Sequence, residues 1–166
     1  MNVTLIGMAG AGKSYIGKRL ARRLGFKFVD IDTVLENSHG KNIQALLDEV
    51  GEAEYLRRET QALIESASDR DNLVLSPGGS IIYTTEVAGH LKKNSRVVYL
   101  CVPFDVVEGL IKGLPPRAII GLGKKTLREL YDERHPLYER TADLIVDTED
   151  RDSEYTLNAI IDFLKR

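Results

Sequence analysis

Eight residues near the amino terminus constrain this chain more than any others: Gly7-Met8-Ala9-Gly10-Ala11-Gly12-Lys13-Ser14. They follow a short apolar run, Val3-Thr4-Leu5-Ile6, and precede a stretch in which Ile16, Leu20 and Leu24 recur every fourth residue before Gly25. That arrangement predicts a strand, a tight loop and an amphipathic helix stopped by glycine. Glycines let backbone N–H groups turn inward around an anion without a Cβ in the way. The start of the helix adds its partial positive charge to the same anion. A lysine closing such a loop reaches the β- and γ-phosphates of a nucleotide, and the hydroxyl that follows ligates Mg²⁺. A glycine-rich turn with a solvent-facing lysine would need neither the preceding strand nor the following helix. The pattern therefore predicts a nucleotide-phosphate site, with Gly10, Ala11, Gly12, Lys13, Ser14 and Tyr15 as its contacts.

Four further runs rich in branched residues read as strands: Phe26-Lys27-Phe28-Val29, Leu73-Val74-Leu75, Val97-Val98-Tyr99-Leu100-Cys101-Val102 and Leu144-Ile145-Val146. Helical patterns lie between them, and Leu157, Ile160, Ile161 and Leu164 mark a closing amphipathic helix. Strand and helix in alternation imply parallel strands joined by right-handed crossovers, an α/β three-layer sandwich. The near-continuous apolar strands suit a sheet covered on both faces. At 166 residues the chain fits one domain, residues 1–166. Two stretches fit no core element. Residues 42–67 read as a helical insertion between the second and third strands. Residues 113–123, bounded by glycine and carrying Pro115, Pro116 and Arg117, have the composition of a lid.

Composition narrows the partners. With 23 Lys+Arg against 25 Asp+Glu, interspersed, there is no basic stripe for nucleic acid. The longest apolar run is far short of the roughly 20 residues that span a bilayer, and no secretory signal is visible ahead of it. The single cysteine, Cys101, permits no internal disulfide and suits a reducing compartment. A cytoplasmic monomer acting on a small molecule is expected, with no nucleic-acid or membrane partner. His39, His90 and His135 have no ligand-like spacing with Cys101, so no zinc site is expected. His135 reads as decoration on a helix surface, and Cys101 as a small core residue.

Two more clusters carry chemistry. Asp30 and Asp32 fall at the carboxyl end of the second strand, where open α/β sheets bind ligands. One could hold Mg²⁺ and the other accept a proton from a substrate hydroxyl, although both also suit capping of a helix over Thr33-Val34-Leu35-Glu36. Ser76-Pro77-Gly78-Gly79-Ser80 follows the third strand, and its paired glycines permit close backbone approach of a ligand.

Together these pieces resemble the shikimate kinase family of small P-loop kinases over nearly the whole chain. The landmarks are the glycine loop, Phe28-Val29-Asp30-Ile31-Asp32, Gly51-Glu52-Ala53-Glu54-Tyr55 followed by Glu59, Val74-Leu75-Ser76-Pro77-Gly78-Gly79-Ser80, Arg117, and Glu133-Arg134-His135-Pro136-Leu137-Tyr138 leading to Ala142-Asp143-Leu144-Ile145-Val146-Asp147-Thr148. The resemblance implies a five-stranded parallel sheet of P-loop kinase type, with 42–67 as the substrate-binding insertion and 113–123 as the lid. It implies an ATP-dependent kinase that phosphorylates a hydroxyl of shikimate to give shikimate 3-phosphate, in aromatic amino-acid biosynthesis, with ATP and Mg²⁺ as cofactors. Carried over by position, Lys13, Asp32 and Arg117 would be catalytic, and Ser14 with Asp30 would place Mg²⁺. Lys112 would stack on the adenine, and Arg117 would also touch the nucleotide. Asp32, Gly78, Gly79 and Arg134 would hold the acceptor. Bidentate arginine suits its planar carboxylate.

The chain departs from the family pattern on the acceptor and lid side. In Tyr55-Leu56-Arg57-Arg58-Glu59, aligned through Glu59, Leu56 occupies the position of a second carboxylate-binding arginine. Losing that charged hydrogen bond would forfeit about 1.5–3 kcal/mol and make the pocket more apolar. Arg57, one residue later and about 100° around the helix, is the candidate substitute. Ser80 replaces a third glycine, and the lid reads Pro116-Arg117-Ala118-Ile119-Ile120. Two other readings stay open: a kinase of the same fold for another small hydroxy acid or polyol, and a nucleotide-binding sensor or partner-binding module without catalysis.

Overall fold

The computed structural model describes residues 1–113, 118–149 and 152–166. Its five-stranded sheet is built from β1 (Asn2–Ile6), β2 (Lys27–Asp30), β3 (Leu73–Ser76), β4 (Ser95–Cys101) and β5 (Leu144–Asp147), in the order β2-β3-β1-β4-β5. Every neighbouring pair is parallel. The central strands β1 and β3 are buried along their whole length, which is why they read as unbroken apolar runs, whereas the edge strands β2 and β5 keep exposed positions.

The helices are α1 (Lys13–Leu24), α2 (Ile31–His39), α3 (Ile43–Val50), α4 (Glu52–Ala67), α5 (Thr85–Asn94), α6 (Phe104–Lys112), α7 (Leu127–Thr141) and α8 (Ser153–Leu164), with a 3₁₀ turn over Gly79–Tyr83. Helix α1 packs so closely on the sheet that a Cβ on Gly17 would meet the Phe28 ring at 2.4 Å and Leu5 at 3.4 Å. Leu5 therefore faces α1. Ile6 and its partner Tyr99 face the other way, where Tyr99 stacks on Tyr138 of α7 at 4.9 Å between ring centres. Helices on both faces of the sheet make the expected three layers.

The insertion over 42–67 is two helices rather than one. Asn42 caps α3 by accepting from the Ala45 amide, and Gly51 closes α3 and opens α4. In α7 a reciprocal capping box joins Thr126 and Glu129, and Leu130, Arg134 and Tyr138 share its buried face. Pro136 sits within that helix, a residue after His135. His135 is not surface decoration. Its Nδ1 lies 2.8 Å from the Tyr99 hydroxyl, its ring stacks on Tyr131 at 6.0 Å, and its Nε2 is 3.2 Å from Glu139.

Candidate active site

Three strands end at one place. The glycine loop leaves β1, Asp30 closes β2 and Ser76 closes β3, with Asp30 and Ser76 as register partners. The carboxyl ends of adjacent parallel strands thus deliver a glycine-rich loop, a carboxylate and a glycine turn to one crevice. The crevice holds a cavity of about 360 Å³, and Lys13, Ser14, Tyr15, Asp30, Asp32, Glu59 and Gly78 are among its lining residues.

On the phosphate side, Gly12 lies in the left-handed region at φ 83° and offers α1 no side-chain cap, so the first amides of the helix face the cavity without a competing acceptor from the cap. Lys13 is buried, and its Nζ donates to the Gly7 carbonyl at 2.8 Å and the Met8 carbonyl at 2.9 Å. The lysine stitches the loop on which it sits. Ser14 Oγ donates to Asp30 Oδ2 at 2.7 Å, while Asp30 Oδ1 accepts from the Asp32 amide at 3.0 Å. Capping and a cavity-facing role are both present: one oxygen of Asp30 caps α2 and the other meets the phosphate loop. Asp32 follows in the first turn of α2, on the cavity wall.

The opposite side of the cavity is built by α4 and the turn after β3, with α7 packed behind that turn. Glu59 is completely buried. Its Oε1 accepts from the Gly78 amide at 2.6 Å, and its Oε2 has no hydrogen-bond partner among the described residues. A Cβ on Gly78 would lie 2.3 Å from Glu59 Oε1, so any side chain there would displace the buried carboxyl. Burial first, and the Asp32 carboxylate second, push the Glu59 carboxyl up to about 7, against the pull of the Gly78 amide, Lys13 and Arg134. Burial likewise raises the Tyr55 hydroxyl, one turn earlier on the cavity wall.

Arg134 is buried behind Gly79 rather than on the cavity wall. Its Nη2 donates to the Ile120 carbonyl at 2.7 Å, its Nε to the Tyr83 hydroxyl at 3.2 Å, and Nη1 lies 3.2 Å from where a Cβ on Gly79 would stand. Tyr138 donates to the Gly79 carbonyl at 2.6 Å. Gly79 is thus wedged between two α7 side chains, and the arginine joins this turn to the segment that follows residues 114–117.

Several expectations are redirected. Arg57 does not turn toward the cavity. It is exposed and bound bidentately to Glu54 at 2.8 Å, with Gln61 at 3.3 Å, on the far side of α4. The helical turn of about 100° carried it outward, and Glu54 three residues back captured it. Leu56 is not among the described residues that line the cavity, so α4 presents Tyr55 and Glu59 there and the expected apolar gain from Leu56 is not found. Lys112 is exposed and paired with Glu108 at 2.5 Å. The cavity mouth near the phosphate loop is formed by Leu110 and Tyr15, each about half exposed. Leu110 carried no sequence signal, because an apolar residue on a helix reads as core. Glu59 could be aligned but not assigned a role, since burial of a charged residue is invisible in sequence. Arg117 and the proline pair before it lie outside the described residues.

A family model described as shikimate kinase matches residues 9–165. A shikimate kinase of Persephonella marina is 36% identical over 160 residues, covering 96% of each chain. One from Marinomonas is 34% identical, covering 99% of this chain and 92% of its own. Among solved structures, the shikimate kinase of Acinetobacter baumannii in complex with shikimate superposes with a TM-score of 0.86 at 31% identity, covering 98% of this chain and 92% of that one. A deoxyadenosine kinase of M. mycoides shares the fold at a TM-score of 0.66 and 15% identity.

Proposed function

This chain belongs to the shikimate kinase family, and on that premise we propose that its cavity transfers the γ-phosphoryl group of ATP to a hydroxyl of shikimate, giving shikimate 3-phosphate. The observation that carries the reading is the convergence of Lys13, Asp32 and the Gly78–Gly79 turn on one cavity at the strand ends. Phosphoryl transfer asks a protein for positioning and charge stabilisation more than for covalent help. Lys13 and the first amides of α1 hold the β- and γ-phosphates. Asp32 accepts the proton of the acceptor hydroxyl as it attacks. Gly78 and Gly79 admit the acceptor close to backbone, and Arg134 behind them supplies positive charge for its carboxylate. Arg117 is assigned to the charge on the transferring group.

Ser14 and Asp30 fit a Mg²⁺ ion: two hard oxygens, 2.7 Å apart, beside the phosphate loop. Among the described residues no cluster of three acidic or histidine side chains could form a complete metal cage, which suits an ion completed by phosphate oxygens and water. When bound, the ion neutralises charge between the phosphates.

The test is ADP release with MgATP across a range of shikimate concentrations, with ³¹P NMR of the product. Stimulation by shikimate and one new phosphomonoester signal are expected, and ATP binding without stimulation would overturn the assignment of acceptor. One observation favours a second acceptor reading. The α4 wall of the cavity shows Tyr55 and Glu59 and no cation, so an acceptor less dependent on its carboxylate would also fit. A panel of small hydroxy acids and polyols in the same assay separates the two.

We extend the proposal to a cytoplasmic monomer that uses neither nucleic acid nor membrane. The balanced, interspersed charge supports the absence of a nucleic-acid partner. Sedimentation velocity checks the monomer.

A further inference from the structure

Glu59 stands at the acceptor side of the cavity with an unusual set of partners. It is fully buried, one oxygen holds the Gly78 amide at 2.6 Å, and the other has no hydrogen-bond partner among the described residues. None of the ion pairs among those residues includes it. An ionised carboxylate held by one amide in a dry site is costly, because the second oxygen keeps full charge without solvation. A neutral acid in the same place leaves only a weak dipole unmet.

The surrounding charges divide. Asp32 of α2 opposes ionisation, while Lys13 of α1 and Arg134 of α7 favour it. The Tyr55 hydroxyl on its own helix and the Tyr138 hydroxyl from α7 are also within its field, and both are themselves raised by burial. Arg134 is the cation next to Gly79, where the acceptor carboxylate is placed by the reading above. An ionised Glu59 would compete with that carboxylate for the field of Arg134. A neutral Glu59 would not.

We propose that Glu59 is a positioning residue which holds the Gly78–Gly79 turn as the neutral acid, and that its ionisation weakens binding of an anionic acceptor. The inference rests on the assignment of a carboxylate-bearing acceptor. Glu59 acts through Gly78 and through its charge. Protonation is thereby coupled to acceptor affinity and, through Lys13, to the nucleotide phosphates as well.

The experiment is the KM for shikimate and for ATP between pH 6 and 8.5, in the wild type and in Glu59→Gln, which keeps an oxygen for the Gly78 amide and cannot ionise. A simple carboxylic acceptor stays ionised across this range. In the wild type the shikimate KM should rise with pH, by about tenfold, and the ATP KM should rise with it through Lys13. In Glu59→Gln the rise should vanish. A rise that persists in the variant, or a level profile in the wild type, overturns the proposal. A second measurement does not depend on the variant folding or on turnover: ¹³C NMR of glutamate-labelled wild-type protein, expected to show one carboxyl titrating near neutrality. Titration of every glutamate carboxyl below pH 5.5 would also overturn it. Absence of any shikimate-stimulated turnover, with this titration present, would instead fault the assignment of acceptor.

Discussion

The Ser14 hydroxyl donates to Asp30 across 2.7 Å, and this bond joins the first turn of α1 to the cap of α2. One carboxylate therefore serves the phosphate loop with one oxygen and a helix with the other. The two roles separate by mutation. Ser14→Ala should raise the Mg²⁺ concentration needed for half-maximal rate and leave the melting temperature nearly unchanged. Asp30→Ala should raise that Mg²⁺ concentration and also lower the melting temperature, costing about 1 kcal/mol through the lost cap. Mg²⁺ titrations of rate, paired with thermal melts, read the difference.

Lys13→Ala should lower kcat about 100-fold or more, because in the proposed reaction its ammonium meets charge that develops during transfer. The lysine also stitches the loop through Gly7 and Met8, so nucleotide affinity should fall as well. Single-turnover rates at saturating ATP distinguish lost chemistry from lost binding.

The two arginines proposed for the acceptor should behave oppositely. Arg57→Ala should leave the shikimate KM unchanged, because Arg57 is held by Glu54 away from the cavity. Arg134→Ala should raise that KM about tenfold or more and affect the ATP KM less. A matched loss in both variants would mean that Arg57 swings inward during turnover.

Gly78→Ala places a methyl group 2.3 Å from Glu59 Oε1. Glu59 is fully buried and cannot yield without breaking its bond to the Gly78 amide. A destabilisation of about 1–3 kcal/mol is expected by chemical denaturation, together with a raised acceptor KM. Ser80→Gly, two residues on, makes no such demand on Glu59 and serves as the control.

Glu59 also links stability to pH. Its folded carboxyl is raised from the ordinary value to about 7, so between about pH 4.5 and 7 the folded state binds more protons than the unfolded one. Stability from this residue is present below that window and is lost as pH rises through it, by about 3 kcal/mol at most. Glu59→Gln should flatten that part of the profile in urea denaturation series at pH 5 and pH 7.5.

Much of this molecule was legible in one dimension. The glycine loop between an apolar run and a helix of period four, and carboxylates at the end of a second strand, were enough for the phosphate half of the site. That half is local: its donors and its cap lie within a few residues of one another or at adjoining strand ends. The acceptor half was less legible. Arg57 and Lys112 were read as ligands, and each is instead captured by a glutamate three or four residues away on its own helix. Sequence gives the helix but not which of two neighbouring faces is turned inward.

By itself the sequence determined the strand–helix alternation, the phosphate loop and the positions from which acid and cation would come, because each depends on short-range periodicity and backbone sterics. Tertiary structure decided three things no spacing contains: that Glu59 is buried under the Gly78 amide, that Arg134 stands behind Gly79 and reaches the Ile120 carbonyl, and that Leu110, and not Lys112, forms the cavity mouth. Each depends on groups far apart in the chain. Burial and field at such points are set by how α4, α7 and the strand ends pack together, not by any residue's immediate neighbours.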